Sequence, residues 1–159
     1  MIPKENVVYV DESGIEQYYQ REKARSLRGT KVQDTKRGRK FQRTNIVAGL
    51  YSGEVVAPFC YVQKTNHEVF EFWFCKCLLP SIPKSWVIIL DNASFHRKNK
   101  LLELCYDYDV SLLFLPAYSP DLNPIEKVWA NLKHFLRSCL SLFPSIEQCI
   151  SGFFHHFIS

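Results

Sequence analysis

The 159 residues are 47% hydrophobic, 14% aromatic and 23% charged, which supports one domain-sized core and excludes a disordered or low-complexity chain. No apolar run reaches the roughly 18 residues of a membrane span, and the opening Met1-Ile-Pro-Lys-Glu5 lacks the basic-then-apolar pattern of a secretory signal. The formal charge is +4, and its distribution along the chain says more than its size.

Val7-Val-Tyr-Val10 is a short apolar run that reads as a strand stopping at Asp11-Glu-Ser-Gly14. A basic segment follows. Arg21, Lys23, Arg25, Arg28, Lys31, Lys36, Arg37, Arg39, Lys40 and Arg43 are accompanied only by Glu22 and Asp34, while the rest of the chain carries ten basic and fourteen acidic residues. A basic stretch on a mildly acidic body fits either a polyanion partner or a solvated loop. Asn45–Tyr51 and Glu54–Val62, joined by Ser52-Gly53, read as a hairpin. From His67 to Leu79 the spacing of Val69, Phe70, Trp73, Phe74, Cys77 and Leu78 predicts a helix ended by Pro80 and Pro83.

Trp86–Leu90 is continuously apolar, as in a strand covered on both faces, and it too ends in an acid, Asp91. A polar helix is expected over Ser94–Tyr106, and a second buried strand over Val110–Leu115. The turn-rich Ala117–Pro124 leads into a helix through about Leu140. The last segment spaces Ile146, Cys149, Ile150, Phe153, Phe154, Phe157 and Ile158 helically. The order β-β-β-α-β-α-β-α-α implies an α/β domain, a mixed sheet with helices on its faces. The aromatic faces of 67–79 and 153–157 suit the core, or a contact between copies. The six cysteines contain no CxxC pair, which fits reduced thiols better than a zinc site.

Two of the most apolar strands thus terminate in Asp11 and Asp91. Carboxylates held close at strand ends repel unless a proton or a cation lies between them; with oxygen ligands and no His or Cys cluster, a hard divalent cation fits. Each Asp also suits a simple turn-capping role. A third acid would come from Asp121 or Glu126. In Asn123-Pro-Ile-Glu126, however, Asn reads as an N-cap, Pro as the first helical residue and Glu as a capping-box acid. Lys133 and Arg137 fall on nearly the same side of the following helix as Glu126, which suits a phosphate track beside a metal ligand as well as ordinary surface charge. Two cations on such a cluster can activate an attacking oxygen and stabilise a leaving one, the usual answer to slow phosphodiester cleavage.

Three blocks, Val8-Tyr-Val-Asp-Glu-Ser-Gly14, Ile88-Ile-Leu-Asp-Asn-Ala-Ser-Phe-His96 and Leu115-Pro-Ala-Tyr-Ser-Pro-Asp-Leu-Asn-Pro-Ile-Glu-Lys-Val-Trp129, resemble the signature blocks of DDE transposases of the mariner-like bacterial insertion-sequence branch. The 34 residues between Asp91 and Glu126 equal that branch's spacing between its second and third acids. The resemblance covers Val7 to Arg137. It implies a ribonuclease H-like fold, a five-stranded mixed sheet flanked by helices, filling residues 1–159 as one catalytic domain. It also implies Asp11, Asp91 and Glu126 as catalytic ligands of two Mg²⁺ or Mn²⁺ ions. The implied reaction is hydrolysis at the transposon ends, followed by attack of the freed 3′-hydroxyl on target DNA, usually at TA. A ribonuclease acting on RNA–DNA hybrids shares the implied fold, but the Asn-Pro-Ile-Glu block fits transposases better.

Under this resemblance Asn92 and His96 orient ligands, water or phosphate, or else make local turn bonds. Asn123 shapes the loop and caps the helix, while Glu12 and Asp121 lie near the acids but off the catalytic positions. Arg28, Lys31, Arg37, Arg39, Lys40, Arg43, Lys133 and Arg137 are the candidate DNA contacts. The expected partners are transposon-end and target DNA and a second copy of the chain, with no membrane, in a bacterial cytoplasm and on the nucleoid when bound. Only ten residues precede Asp11, leaving no room for the helix-turn-helix DNA-binding domain usual in such proteins. The expectation is therefore the catalytic half of a split gene with a separate DNA-binding half. The alternative is an inactive remnant that serves as a DNA-binding or assembly module.

Overall fold

The computed structural model of the chain describes residues 3–15 and 43–157. Its elements are β1 (Val7–Ile15), β2 (Thr44–Tyr51), β3 (Glu54–Tyr61), α1 (His67–Trp73), β4 (Val87–Leu90), α2 (Lys98–Asp107), β5 (Ser111–Phe114), α3 (Ile125–Cys139) and α4 (Ile146–Phe157), in the expected order. The strands form a five-stranded sheet in the order β3-β2-β1-β4-β5. β1 and β2 pair antiparallel, as do β2 and β3, while β4 runs parallel to both β1 and β5. No helix among the described residues is long and apolar enough to cross a membrane.

The β2–β3 hairpin closes through Ser52 and Gly53, both at positive φ (47° and 82°), the geometry whose twist matches the flanking strands. One extra residue bulges out of β3, where the register shifts between Val47 and Gly49. Ala57 sits there at φ 53°, next to Pro58, which has no N–H to give a ladder. The Ala57 carbonyl accepts a 2.7 Å hydrogen bond from Trp73 Nε1, fixing α1 against the sheet. Gly49 is required by close approach, since a Cβ there would lie 2.8 Å from Val56 Cγ1 and 2.9 Å from Val8 Cγ1.

Each face of the sheet carries its own core. Val8, Val10 and Val47 pack with Phe70, Trp73, Phe74 and Leu78, and with Leu101 and Cys105 of α2. On the other face Ile15, Ile46, Ala48 and Leu50 meet Trp129, Leu132 and Leu136 of α3 and Cys149, Ile150 and Phe153 of α4. Each buried Val, Leu, Ile or Phe among them contributes roughly 1.5–3 kcal/mol by leaving water. The aromatic stripes of 67–79 and of α4 are thus mainly core, although Phe72 is exposed.

Several boundaries differ from the sequence reading. β1 does not stop at Asp11 but runs to Ile15, because β2 keeps pairing with it through Ile15↔Thr44 and overrides the weak strand propensity of Asp-Glu-Ser-Gly. The helix expected over 67–79 is α-helical only to Trp73, then widens into a π turn over Phe74–Leu78 and tightens into a 3₁₀ turn over Leu79–Ser81. This winding keeps Phe74, Leu78 and Leu79 buried together. β4 starts at Val87, with Trp86 outside it and edge-on to Tyr51. α2 begins at Lys98 rather than Ser94, since the preceding residues form a turn closed by the His96 N–H on the Ala93 carbonyl at 3.1 Å. β5 is an edge strand and not a buried one: Leu112 is covered, but Ser111 and Leu113 are exposed.

Candidate active site

The parallel ladder between β1 and β4 ends at Val10↔Leu90. The next residue on each strand is an aspartate, so Asp11 and Asp91 emerge where β4 leaves the sheet while β1 continues. Open α/β sheets place ligands beyond the carboxyl ends of parallel strands. α3 starts over the same spot, with Glu126 in its first turn. A cavity of about 330 Å³ is lined by Asp11, Asp91, Asn92, Tyr118, Asn123 and Glu126 among others. The three acids singled out from the sequence therefore converge.

Asn123 ties α3 to β1. Its side-chain carbonyl accepts from the Ile125 N–H at 3.3 Å, and its amide donates to the Val10 carbonyl at 3.3 Å, one residue before Asp11. The helix itself begins at Ile125, with Pro124 at the cap position, so the expected capping box is not formed. Glu126 instead lines the cavity beside Asp11, so its carboxyl faces the cavity rather than the helix end.

Burial is the largest cause pushing the Asp11 carboxyl up from 3.8 to about 8, followed by repulsion from Glu12 and then from Glu126. Trp129 Nε1 donates to Asp11 Oδ2 at 3.1 Å. With carboxylates alone, the cluster must hold a proton to limit its own repulsion. A divalent cation can take that proton's place, and an all-oxygen donor set suits a hard ion such as Mg²⁺ or Mn²⁺. Asp11, Asp91 and Glu126 thus fit such an ion on their own chemistry.

Glu12, read from the sequence as supporting the site or lying at the surface, is one of two further residues that touch it; Trp129, which the motifs do not single out, is the other. Consecutive strand residues point to opposite faces, so Asp11 meets α3 while Glu12 turns to the α1 and α2 side. There Glu12 Oε1 lies 3.2 Å from His96 Nε2, and His96 Nδ1 lies 3.5 Å from Asp91 Oδ1. Burial pushes the Glu12 carboxyl up, against the lowering effect of its hydrogen bond with His96. Strand parity was the available signal for Glu12. For Trp129, no sequence pattern distinguishes a packed indole from one that donates to a carboxylate.

A second cavity of about 510 Å³ shares Asp11 and Asp91 and continues past Glu12, Asn45, Lys64 and Arg43. Arg43 is the described member of the basic segment; Arg28, Lys31, Arg37, Arg39 and Lys40 lie outside the described residues. Lys133 and Arg137 follow Glu126 by about two and three helical turns and line neither cavity. Asn92 is exposed at the rim, whereas His96 is buried. All six cysteines are free. Burial holds Cys60 up at about 11 and Cys105 at about 12, so both stay thiols and neither is a nucleophile.

The profile of a family described as DDE superfamily endonuclease matches residues 6–150. The Tc3 transposase of Caenorhabditis elegans is 34% identical over 62 residues, covering 39% of this chain and 19% of that protein. The Tcb1 transposase of Caenorhabditis briggsae is 37% identical over 57 residues, covering 36% of this chain and 21% of that protein. Among solved structures, the Mos1 strand transfer complex superposes with a TM-score of 0.66 at 20% identity over 98% of this chain and 47% of that one. The catalytic core of HTLV-2 integrase in complex with magnesium gives 0.58 at 14% identity, covering 96% and 85%. At these identities the superpositions establish a shared fold, that of ribonuclease H-like transposase and integrase cores. This chain spans about half of the transposase chain it superposes on, and its aligned segments cover about a fifth of the nematode proteins.

Proposed function

The chain belongs to the DDE superfamily endonuclease family, and on that premise we propose that it is the catalytic domain of a transposase. It hydrolyses DNA phosphodiesters at transposon ends and passes the freed 3′-hydroxyl to target DNA, at TA. The observation that carries this reading is the convergence of Asp11, Asp91 and Glu126 on one cavity from three separate elements.

Asp11, Asp91 and Glu126 would hold two Mg²⁺ or Mn²⁺ ions, which when bound supply Lewis acidity and lower the pKa of coordinated water. The protein's own contribution is placement. Trp129 restrains one oxygen of Asp11, and Asn123 fixes the start of α3 to the strand that carries Asp11. Asn92 and the fully exposed Tyr118 stand at the rim, where they meet the nucleotide next to the scissile bond. Arg43 and Lys64, along the second cavity, take the backbone phosphates, together with the basic segment Arg28, Lys31, Arg37, Arg39 and Lys40. Lys133 and Arg137 extend that track along α3. Such contacts position DNA without reading its sequence. Joining two ends to one target calls for two catalytic domains, so the working form on DNA is a homodimer. The setting proposed for this activity is a bacterial cytoplasm, with the protein on the nucleoid when bound to DNA.

The test is nicking of duplex DNA carrying a transposon end, with Mn²⁺ or Mg²⁺, by the wild-type chain and by Asp91→Asn and Glu126→Gln. Cation-dependent nicks that both variants abolish are expected. Cutting that survives chelation, or that the variants retain, overturns the proposal.

A further inference from the structure

Beneath the three acids, on the opposite face of the sheet, lies a second polar arrangement. The Glu12 side chain is 12% exposed and that of His96 is 1% exposed. The imidazole is packed against Phe70 at 4.3 Å and Phe95 at 4.5 Å between ring centroids. An acid and an imidazole in such an aromatic setting cost desolvation that packing alone does not return. Their geometry shows what they are arranged around. One ring nitrogen, Nε2, is 3.2 Å from Glu12 Oε1, and the other, Nδ1, is 3.5 Å from Asp91 Oδ1. Both Nδ1 and Oδ1 are buried and without any hydrogen-bond partner among the described residues. They face each other at a separation that a shift of a few tenths of an ångström turns into a hydrogen bond.

Asp91 is therefore used asymmetrically. Its side chain is 46% exposed, yet Oδ1 is buried, so the exposure falls on the rest of the group, which lines the cavity. Resting on the reading of Asp91 as a cation ligand, we propose that Glu12 is a positioning residue that acts through His96. It holds the imidazole so that Nδ1 fixes one oxygen of Asp91 and leaves the other for the ion. Outer partners of this kind orient a ligand before the ion arrives, and losing them typically costs about 10–100-fold in metal affinity. Glu12, Asp91 and His96 also offer ligand atoms within 4.8 Å of one another, so a direct ligand role for Glu12 is the rival that the experiment must separate.

The experiment is Mn²⁺ binding to the full chain, read from the electron paramagnetic resonance of the free ion and normalised to the folded fraction by near-ultraviolet circular dichroism. Glu12→Gln and His96→Gln are expected to weaken binding about 10–100-fold. His96→Asn, whose amide can donate from near the position of Nδ1, is expected to keep most of the affinity. In that background Glu12→Gln is expected to add nothing, the mark of two residues acting in series. Wild-type affinity in folded Glu12→Gln overturns the proposal, as does an undiminished loss on adding Glu12→Gln to His96→Asn, which would make Glu12 a ligand. If wild type binds and Asp91→Asn does not while Glu12→Gln binds normally, only the positioning role falls. Failure of the wild type to bind Mn²⁺ removes the metal-site reading and this proposal with it.

Discussion

Asp11→Asn is expected to stabilise the cation-free protein at alkaline pH while destroying its affinity for divalent ions. In the folded chain the Asp11 carboxyl is raised from 3.8 to about 8, chiefly by burial and then by Glu12 and Glu126. The folded state therefore binds a proton more tightly than the unfolded chain, and this group's contribution is fully present below about pH 4 and lost as pH rises towards 8. At about 1.4 kcal/mol per pH unit, that interval is worth at most about 6 kcal/mol. Water reaching the open cavity screens part of this, leaving about 3 kcal/mol for Asp11. Asn removes the charge, keeps the shape and still offers an oxygen to Trp129 Nε1. For a chain of this size about 3 kcal/mol is roughly 6–12 °C in Tm. The assay is thermal unfolding with chelator at pH 5 and pH 8.5, for wild type and variant, repeated with Mn²⁺. The variant should melt higher at pH 8.5, the difference should shrink towards pH 5, and added Mn²⁺ should raise only the wild type. Equal melting of the two proteins at both pH values would refute the electrostatic reasoning.

Three further outcomes follow from single contacts. Trp129→Phe keeps an aromatic ring in a buried site but removes the donor to Asp11 Oδ2; hydrogen bonds to charged groups are worth about 1.5–3 kcal/mol, so Mn²⁺ affinity measured by calorimetry should fall about tenfold or more. Asn123→Ala cuts both the bond to the Ile125 N–H and the tether to the Val10 carbonyl, and should cost about 1–2 kcal/mol in urea unfolding. Gly49→Ala forces a methyl group against Val56 and Val8 and should destabilise by about 1–3 kcal/mol with Mn²⁺ affinity unchanged.

Much of this arrangement is legible in the residues because local signals and long-range packing agree. The Ser52-Gly53 turn, the apolar run Trp86–Leu90 and the helical spacing of Ile146, Cys149, Ile150 and Phe153 each say alone what the sheet and its two cores say together. The three acids are legible for a related reason: two follow apolar runs, and the third opens a helix after a turn of fixed chemistry. Where the reading fails, tertiary pairing has won. Asp11-Glu-Ser-Gly14 looks like a turn and is strand because β2 pairs with it to its end. Leu113 looks buried and is exposed because β5 is the last strand of the sheet. Glu126 looks like a capping acid, but Asn123 bonds the helix start instead. For Glu12 the sequence leaves open support of the site or a surface place, and its contact with His96 decides it; Trp129 could not be found from spacing, since its part rests on one contact to Asp11 from the other face of the sheet.

The central claim is that Asp11, Asp91 and Glu126 form one divalent-cation site. Calorimetric titration of Mn²⁺ into the wild-type chain, Asp91→Asn and Glu126→Gln tests it without any DNA substrate. Binding by the wild type that is lost or weakened by at least tenfold in both variants is the expected result. Binding that either folded variant retains at full affinity would contradict it.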